Sequence, residues 1–306
     1  MKKKALITGI TGQDGYYMAL YLLKKGYRVD GMIRRNRSNG EKITGVNYVE
    51  GDLTDFTSLM NLAKNKYDEV YNFAAQSFVK LSWEQPELTA DVTGLGVLRL
   101  LEAMRQISPK TKIFQASSSE MFGNSPAPQN ENTPFHPRSP YGIAKLFAHW
   151  TAINYRESYG MHIGTAIAFN HESERRGGEF VTRKITKAIG EIKRGERQYL
   201  ELGNLNAKRD WGYAPDYIEA FYKICQRGGD YIVATGNTHT VREFTKKAFR
   251  AVGLDYKKYV KINAEHKRPA EVNHLRGDFS KIRKELGWNP KTIFNEIIIK
   301  MVKNDL

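Results

Sequence analysis

Cysteine is all but missing. Cys225 stands alone among 306 residues, which excludes an internal disulfide and suits a reducing compartment. No apolar run approaches the roughly 18 residues of a membrane span. Met1-Lys2-Lys3-Lys4 leads into Ala5-Leu6-Ile7-Thr8, too short an apolar stretch for a signal-peptide core. The expectation is a cytoplasmic protein with no membrane partner. Internal repeats and low-complexity tracts are lacking too. Acidic residues are outnumbered, 33 against 48 Lys and Arg, for a net charge of +15. Yet the cations are not clustered: Lys184, Lys187 and Lys193, or Lys246, Lys247 and Lys257, are spread through the helices, and no nucleic-acid motif frames them. They read as solvated faces that steer anionic ligands, with no nucleic-acid partner. No metal site is expected.

What is present is an ordinary globular balance, 41% hydrophobic and 26% charged residues, enough for one large or two modest domains. Short β-branched runs alternate with helix-period segments from the first residue, the pattern of a parallel sheet covered by helices. Strands are expected at Lys4 to Thr8, Val29 to Ile33, Glu69 to Ala74, Lys112 to Ser117, Ile163 to Phe169 and Tyr231 to Thr235, with a short third strand ending at Asp52-Leu53. A helix over Tyr16 to Lys25 closes at Gly26, where a left-handed cap is wanted. From Leu88 the residues Val92, Leu95, Leu98 and Leu101 form the stripe of a helix packed on one side. An amphipathic helix follows at about Phe180 to Ile192. The expected fold is α/β: a Rossmann-like parallel sheet with helices on both faces plus a smaller C-terminal substrate-binding domain. Residues 1–170 form the dinucleotide domain, to which the chain returns at about 213–240; residues 171–212 and 241–306 form the other.

Gly9-Ile-Thr-Gly12-Gln-Asp-Gly15 follows a strand and opens a helix, spaced GxxGxxG. Glycines there permit a tight turn and let a pyrophosphate approach backbone N–H groups at a helix N-terminus. The second strand ends in Ile33-Arg34-Arg35. An acid at that tip would accept ribose hydroxyls, whereas a pair of arginines suits a bidentate grip on a 2′-phosphate, so NADP is the expected cofactor. Asp30 lies inside the strand, short of the tip. Asp52 and Leu53 are placed to border the adenine.

Tyr141-Gly-Ile-Ala-Lys145 sets a phenol and an ammonium on one helix face. The cation is expected to lower the tyrosine pKa and make it a usable acid or base. Upstream, a strand ends Ala116-Ser117-Ser118-Ser119-Glu120, and on an extended segment Ser118 and Glu120 point to the same side.

Together the glycine turn, the serine-rich strand end and the Tyr/Lys pair resemble the extended short-chain dehydrogenase/reductase superfamily. Asn72-Phe-Ala-Ala-Gln-Ser-Phe78, Pro137-Arg-Ser-Pro-Tyr-Gly142, Phe169-Asn-His-Glu-Ser173, Phe180-Val-Thr-Arg-Lys184, Leu202-Gly-Asn-Leu-Asn-Ala-Lys-Arg-Asp-Trp-Gly212 and Arg268-Pro-Ala-Glu-Val272 resemble, within it, the GDP-mannose 4,6-dehydratase family. The last four are specific to that family.

The resemblance implies a GDP-mannose substrate and an internal redox cycle. Tyr141 takes the O4 proton while C4 is oxidised by NADP, Ser118 hydrogen-bonds O4, and Glu120 removes the C5 proton and assists loss of water from C6, which is then reduced. Lys145 belongs to this catalytic set. It also implies Gln13, Asp14, Ala74, Ala75 and Ser77 beside the cofactor, and His171 and Arg176 on its nicotinamide side. Arg209 and Arg268 would grip the diphosphate and its ribose, Lys184 and Glu271 the guanine, and Asn170 the sugar or its phosphate. A homodimer or homotetramer is implied as well. The sequence departs from the family at Ser118, where Thr is usual, at His136 for Tyr and at Asn273 for Asp, and its loop Asn36-Arg-Ser-Asn-Gly40 is short. A GDP-heptose dehydratase, an epimerase or a 4-keto reductase of the same superfamily are the alternatives.

Overall fold

The structure is a computed structural model that describes residues 2–35, 42–263 and 269–306. In chain order its strands are β1 (Lys4–Thr8), β2 (Arg28–Ile33), β3 (Val46–Glu50), β4 (Glu69–Asn72), β5 (Lys112–Ser118), β6 (Ile163–Ala168), β7 (Asn170–Glu172), β8 (Leu200–Leu202), β9 (Lys208–Arg209), β10 (Trp211–Tyr213), β11 (Gly229–Val233), β12 (His239–Thr240) and β13 (Val260–Ile262). Seven of them form one sheet, in the order β11-β6-β5-β4-β1-β2-β3, every pair parallel. β4 and β6 are buried throughout, as near-continuous apolar runs must be when helices cover both faces. The order reverses between β1 and β4, and a crevice opens there at the carboxyl ends of the strands.

On one face the helices Gln13–Lys24 and Ala214–Arg227 pack with Trp288. Phe114 of β5 meets Phe221 of the second helix with ring centroids 4.8 Å apart, and Phe221→Ala would cost about 3–5 kcal/mol by the cavity it leaves. Helices Phe56–Ala63, Gly96–Ile107 and Pro140–Tyr159 cover the other face. A further apolar cluster joins helices Val181–Lys193, Val241–Arg250 and Phe294–Asp305 with Trp211, Leu200 and Leu202. Arg183 reaches Asp305 at 2.8 Å and Thr186 donates to the same carboxylate at 2.6 Å, pinning the first of these helices to the last.

The parallel sheet and its two helix layers are as expected, with ends shifted by one to three residues. The first helix begins at Gln13, and Gly26 takes φ +82° after it. One expectation fails. Leu95 is 41% exposed because Ala90–Leu95 forms a π-helical turn, whose wider turn rotates the following residues off a 3.6-residue stripe. The buried positions become Thr93, Val97, Leu100 and Leu101, and the Thr93 hydroxyl accepts from the Gln76 N–H at 3.0 Å.

Candidate active site

A cavity of about 750 Å³ opens at the switch point, walled by the glycine turn, the ends of β5 and β7, the start of helix Pro140–Tyr159, and residues 176–184, 202–211 and 269–271. The glycine turn fits a dinucleotide sterically. Gly9 takes φ +68°, and a Cβ there would fall 2.8 Å from the Ala74 nitrogen. A Cβ on Gly15 would stand 2.7 Å from the Ile10 Cα, whereas on Gly12 it would meet only the Gly9 carbonyl, at 3.2 Å. Two glycines therefore close the turn, and the third leaves the backbone at the helix N-terminus open to an anion.

Arg34 and Arg35 stand exposed just beyond β2, with the Arg35 Nε 3.1 Å from the Glu50 carboxylate. Such an exposed pair is worth less than about 1 kcal/mol, little hindrance to a phosphate. Asp30 is committed elsewhere: it accepts from Asn47 at 3.0 Å and Tyr67 at 2.9 Å, and the Lys4 Nζ lies 3.1 Å away. Asp52 caps its own turn, accepting from the Thr54 N–H and hydroxyl, both at 2.9 Å, and Leu53 is buried in the core beneath. Ala75 and Ser77 line the cavity, while the Ala74 N–H donates to the Thr8 hydroxyl at 3.1 Å.

Helix Pro140–Tyr159 begins cleanly because Ser139 accepts from the Gly142 N–H at 3.0 Å and Pro140 occupies its first turn. Tyr141 and Lys145 lie one turn apart on its buried face and line the cavity with Ser118 and Glu120. Ser118 and Glu120 meet there for a reason other than strand alternation. The chain turns immediately after β5, in a 3₁₀ turn over Ser119–Met121, and the Ser118 hydroxyl caps it by accepting from the Glu120 N–H at 3.2 Å.

The expected lowering of the tyrosine pKa is also corrected. Burial pushes Tyr141 up to about 12; a hydrogen bond from Ser118 offsets this only in part, and the Glu120 carboxylate adds to it. The Lys145 ammonium lies 5.9 Å from the centre of the Tyr141 ring and donates its hydrogen bond to the Ala116 carbonyl at 2.8 Å. Burial brings that ammonium down to about 8, against the pull of Asp14.

Gln13 and Asp14 cross-brace the turn to β7. His171 donates from Nδ1 to the Phe169 carbonyl at 2.7 Å and from Nε2 to Asp14 at 3.0 Å. Acceptors at both nitrogens favour the doubly protonated ring. Burial opposes that charge, but Asp14 outweighs it and holds the pKa above the usual histidine range. The Gln13 amide donates to the His171 carbonyl at 3.0 Å and accepts from the Ser173 hydroxyl at 2.7 Å. Arg176 lies 3.7 Å over the Phe180 ring, with its Nε 3.3 Å from Glu172.

The cavity is also lined by Asn170, Lys184, Arg209 and Glu271. The Asn170 Oδ1 is buried with no hydrogen-bond partner. Burial, and then Arg197, holds Lys184 below the usual lysine range. Arg209 donates to the Lys208 carbonyl at 2.9 Å. Asn273 stands with its backbone carbonyl accepting from the Lys208 N–H at 2.9 Å, and the His136 carbonyl accepts from Asn124 at 3.1 Å. Arg268 and the loop Asn36 to Gly40 lie outside the described residues. Sequence reasoning missed Phe78 and Phe180, which meet edge to face at 5.9 Å across the cavity wall. Single aromatics carry no signal that separates a wall from a core.

The family model described as GDP-mannose 4,6 dehydratase matches residues 6–301. "GDP-mannose 4,6 dehydratase 1" of Arabidopsis thaliana is 50% identical over 326 aligned positions, covering 100% of this chain and 90% of that one. Among solved structures, the Thermus thermophilus UDP-glucose 4-epimerase complex with NAD is 27% identical with a TM-score of 0.86, covering 98% of each chain. The RMD protein of Pseudomonas aeruginosa, solved with NADPH, shares the fold at 22% identity and a TM-score of 0.84, covering 99% of this chain and 98% of that one.

Proposed function

The chain belongs to the GDP-mannose 4,6-dehydratase family, and from that premise we propose that it removes water from GDP-mannose to give GDP-4-dehydro-6-deoxy-mannose, with NADP as its nicotinamide dinucleotide. The observation that carries this reading is the meeting of Ser118, Glu120, Tyr141 and Lys145 in one cavity with the glycine turn, Arg209 and Glu271. The paired arginines after β2 support NADP over NAD. Gly9, Gly12, Gly15, Gln13, Asp14, Ala75 and Ser77 hold the dinucleotide, with Ala74, Asp52 and Leu53 behind its walls and His171 and Arg176 at its nicotinamide end. The division of labour follows: the sheet side, residues 1–170 and about 213–240, holds the cofactor, and residues 171–212 and 241–306 hold the GDP.

A bound nicotinamide dinucleotide would supply the hydride acceptor for C4 and the hydride donor for C6, so no external oxidant would be consumed. The chain's own groups move the protons. Tyr141 receives the O4 proton in its phenolate form, having first given up its own proton, with Ser118 hydrogen-bonded to the same oxygen. The ketone at C4 acidifies the C5 hydrogen, which Glu120 removes; the C6 hydroxyl then leaves with that proton as water, and when C6 is reduced C5 regains a proton, which balances the one Tyr141 took from O4. Glu120 separates dehydration from epimerisation at C4 or 4-keto reduction, which require no base at C5. Ser118 keeps the hydroxyl of the usual threonine without the methyl that fixes its rotamer, and slower turnover is the expected consequence. Arg209, Arg268, Lys184, Glu271 and Asn170 hold the nucleotide sugar. Incubation with GDP-mannose and NADP should yield a product lighter by one water in mass spectrometry; unchanged GDP-mannose with cofactor bound rejects the reading.

We also propose a homodimer. The outer face of helix Pro140–Tyr159 exposes Ile143, Phe147 and Trp150, and Leu88 and Leu95 beside it are exposed as well. A large apolar patch on two adjacent helical segments suits a second copy related by a two-fold axis. Trp150→Lys should yield monomers in analytical ultracentrifugation, and an unchanged sedimentation coefficient counts against this face.

A further inference from the structure

We propose that Asp210 is a positioning residue for nucleotide recognition: its buried carboxylate ties together the separate chain segments that bring Arg209 and Glu271 to the cavity. This rests on the reading that those two residues bind the GDP portion of the substrate.

Arg209 and Trp211 both line the cavity. On an extended segment successive side chains point to opposite sides, so the Asp210 carboxylate turns away from the cavity into the protein, where the residue has no exposure at all. It is not left unpaired. Oδ1 accepts from the Thr235 N–H at 2.8 Å and the Thr235 hydroxyl at 2.6 Å. Oδ2 accepts from the Gly236 N–H at 2.8 Å and the Gly277 N–H at 3.3 Å. Three of the four donors are backbone groups, which lose their partner if the carboxylate goes.

Each tied segment leads to the nucleotide wall. Thr235 and Gly236 leave β11 for β12, whose His239 pairs with Arg209 in a two-residue antiparallel ladder, and Val241, which follows, lines the cavity. Gly277 ends the segment that begins at Pro269 and Glu271. That segment has little regular structure; it is also tied to this strand by the Lys208 N–H donating to the Asn273 carbonyl at 2.9 Å and the Leu275 N–H donating to the Lys208 carbonyl at 3.3 Å. A side chain at 277 is impossible, since its Cβ would collide with that of Ala234. The backbone at 277 thus approaches β11 closely and presents its N–H to Asp210. No carboxylate oxygen reaches the substrate; the effect is on where Arg209 and Glu271 stand.

The test compares Asp210→Asn, which places an amide NH₂ against N–H donors, with Thr235→Val, which removes one donor and leaves the backbone. KM for GDP-mannose and the inhibition constant of GDP should rise about 30-fold in D210N and about 5-fold in T235V, as lost buried hydrogen bonds to a charged group predict. kcat and NADP affinity should stay within about 3-fold. Arg209→Ala and Glu271→Gln are measured alongside. If those two leave KM unchanged, the reading of the nucleotide site fails. If they raise KM while D210N and T235V do not, only the role of Asp210 fails. A fall in kcat and NADP affinity together with the KM change also overturns it, because that is general loosening. Should D210N not fold, T235V decides.

Discussion

The two sides of the cavity are built differently. On the sheet side each chemical group sits at the end of a long buried strand or in the first turns of a helix: Gly12 opens the helix after β1, Ser118 ends β5, and Tyr141 and Lys145 occupy the first two turns of a 20-residue helix. By contrast, Arg209 and Glu271 come from a strand of two residues and from irregular chain. There, on the role proposed for Asp210, alignment depends on one buried carboxylate that accepts from several segments. A rigid frame suits proton transfer, where small misplacements are costly. An assembled wall suits recognition of a large ligand through many charge-assisted contacts. Damage on the sheet side should therefore appear in kcat, and damage on the far side in KM.

The largest effect should come from the groups proposed to handle protons. Tyr141→Phe and Glu120→Gln are each expected to lower kcat by about 10³-fold, within the range for general acid–base groups, with KM for GDP-mannose changed less than about 3-fold. They should differ in kind. Tyr141→Phe blocks oxidation at C4, so reduced-nicotinamide absorbance should not develop with substrate. Glu120→Gln lets oxidation proceed and stops elimination, so that absorbance should accumulate. Stopped-flow absorbance checks both, and a KM-dominated loss in either would break the contrast between the two sides.

The same contrast governs how much was legible in the sequence. The glycine turn, the strand ends and the Tyr/Lys spacing are short contiguous patterns on regular elements, and the structure brings Gly12, Ser118, Glu120, Tyr141 and Lys145 to one cavity. Asp210 gave no such signal, because its four donors come from residues 25 to 67 positions away. Leu95 misled through a π-turn that no apolar period encodes. The tyrosine pKa misled for an energetic reason: four-residue spacing brings an ammonium near a phenol but does not say that a backbone carbonyl will hold it, or that burial will outweigh it.

A smaller effect is expected at the far end of the dinucleotide. Replacing Arg34 and Arg35 together by Ala should weaken NADP binding about 30-fold through loss of charge-assisted hydrogen bonds to a 2′-phosphate, discounted for their exposure. NAD affinity should hardly move, and kcat at saturating cofactor should be unchanged. Fluorescence titration with both reduced dinucleotides measures this; equal losses for the two would remove the basis for preferring NADP.

The smallest effect sets two buried histidines against each other. His149 lies two turns beyond Tyr141 on the same helix, its Nδ1 2.9 Å from the Ser117 hydroxyl and 3.3 Å from that of Thr165, and burial holds its pKa down to about 4. Above about pH 6.5, the unfolded value, the ring is neutral in both states and contributes nothing. As pH falls below that, the unfolded chain takes up a proton that the folded chain refuses until about 4, so stability is lost across that window, by about 2 kcal/mol at pH 5. His171 has the opposite sign: Asp14 raises its folded pKa, so its contribution is full below the unfolded value and fades only as pH rises through the folded one. Acid therefore weakens the sheet side through His149 while leaving the cross-brace to β7 intact. His149→Asn places an amide near the Nδ1 position and should flatten the loss of urea midpoint between pH 7.5 and pH 5, whereas a parallel loss in wild type and variant would assign the acid sensitivity to other groups.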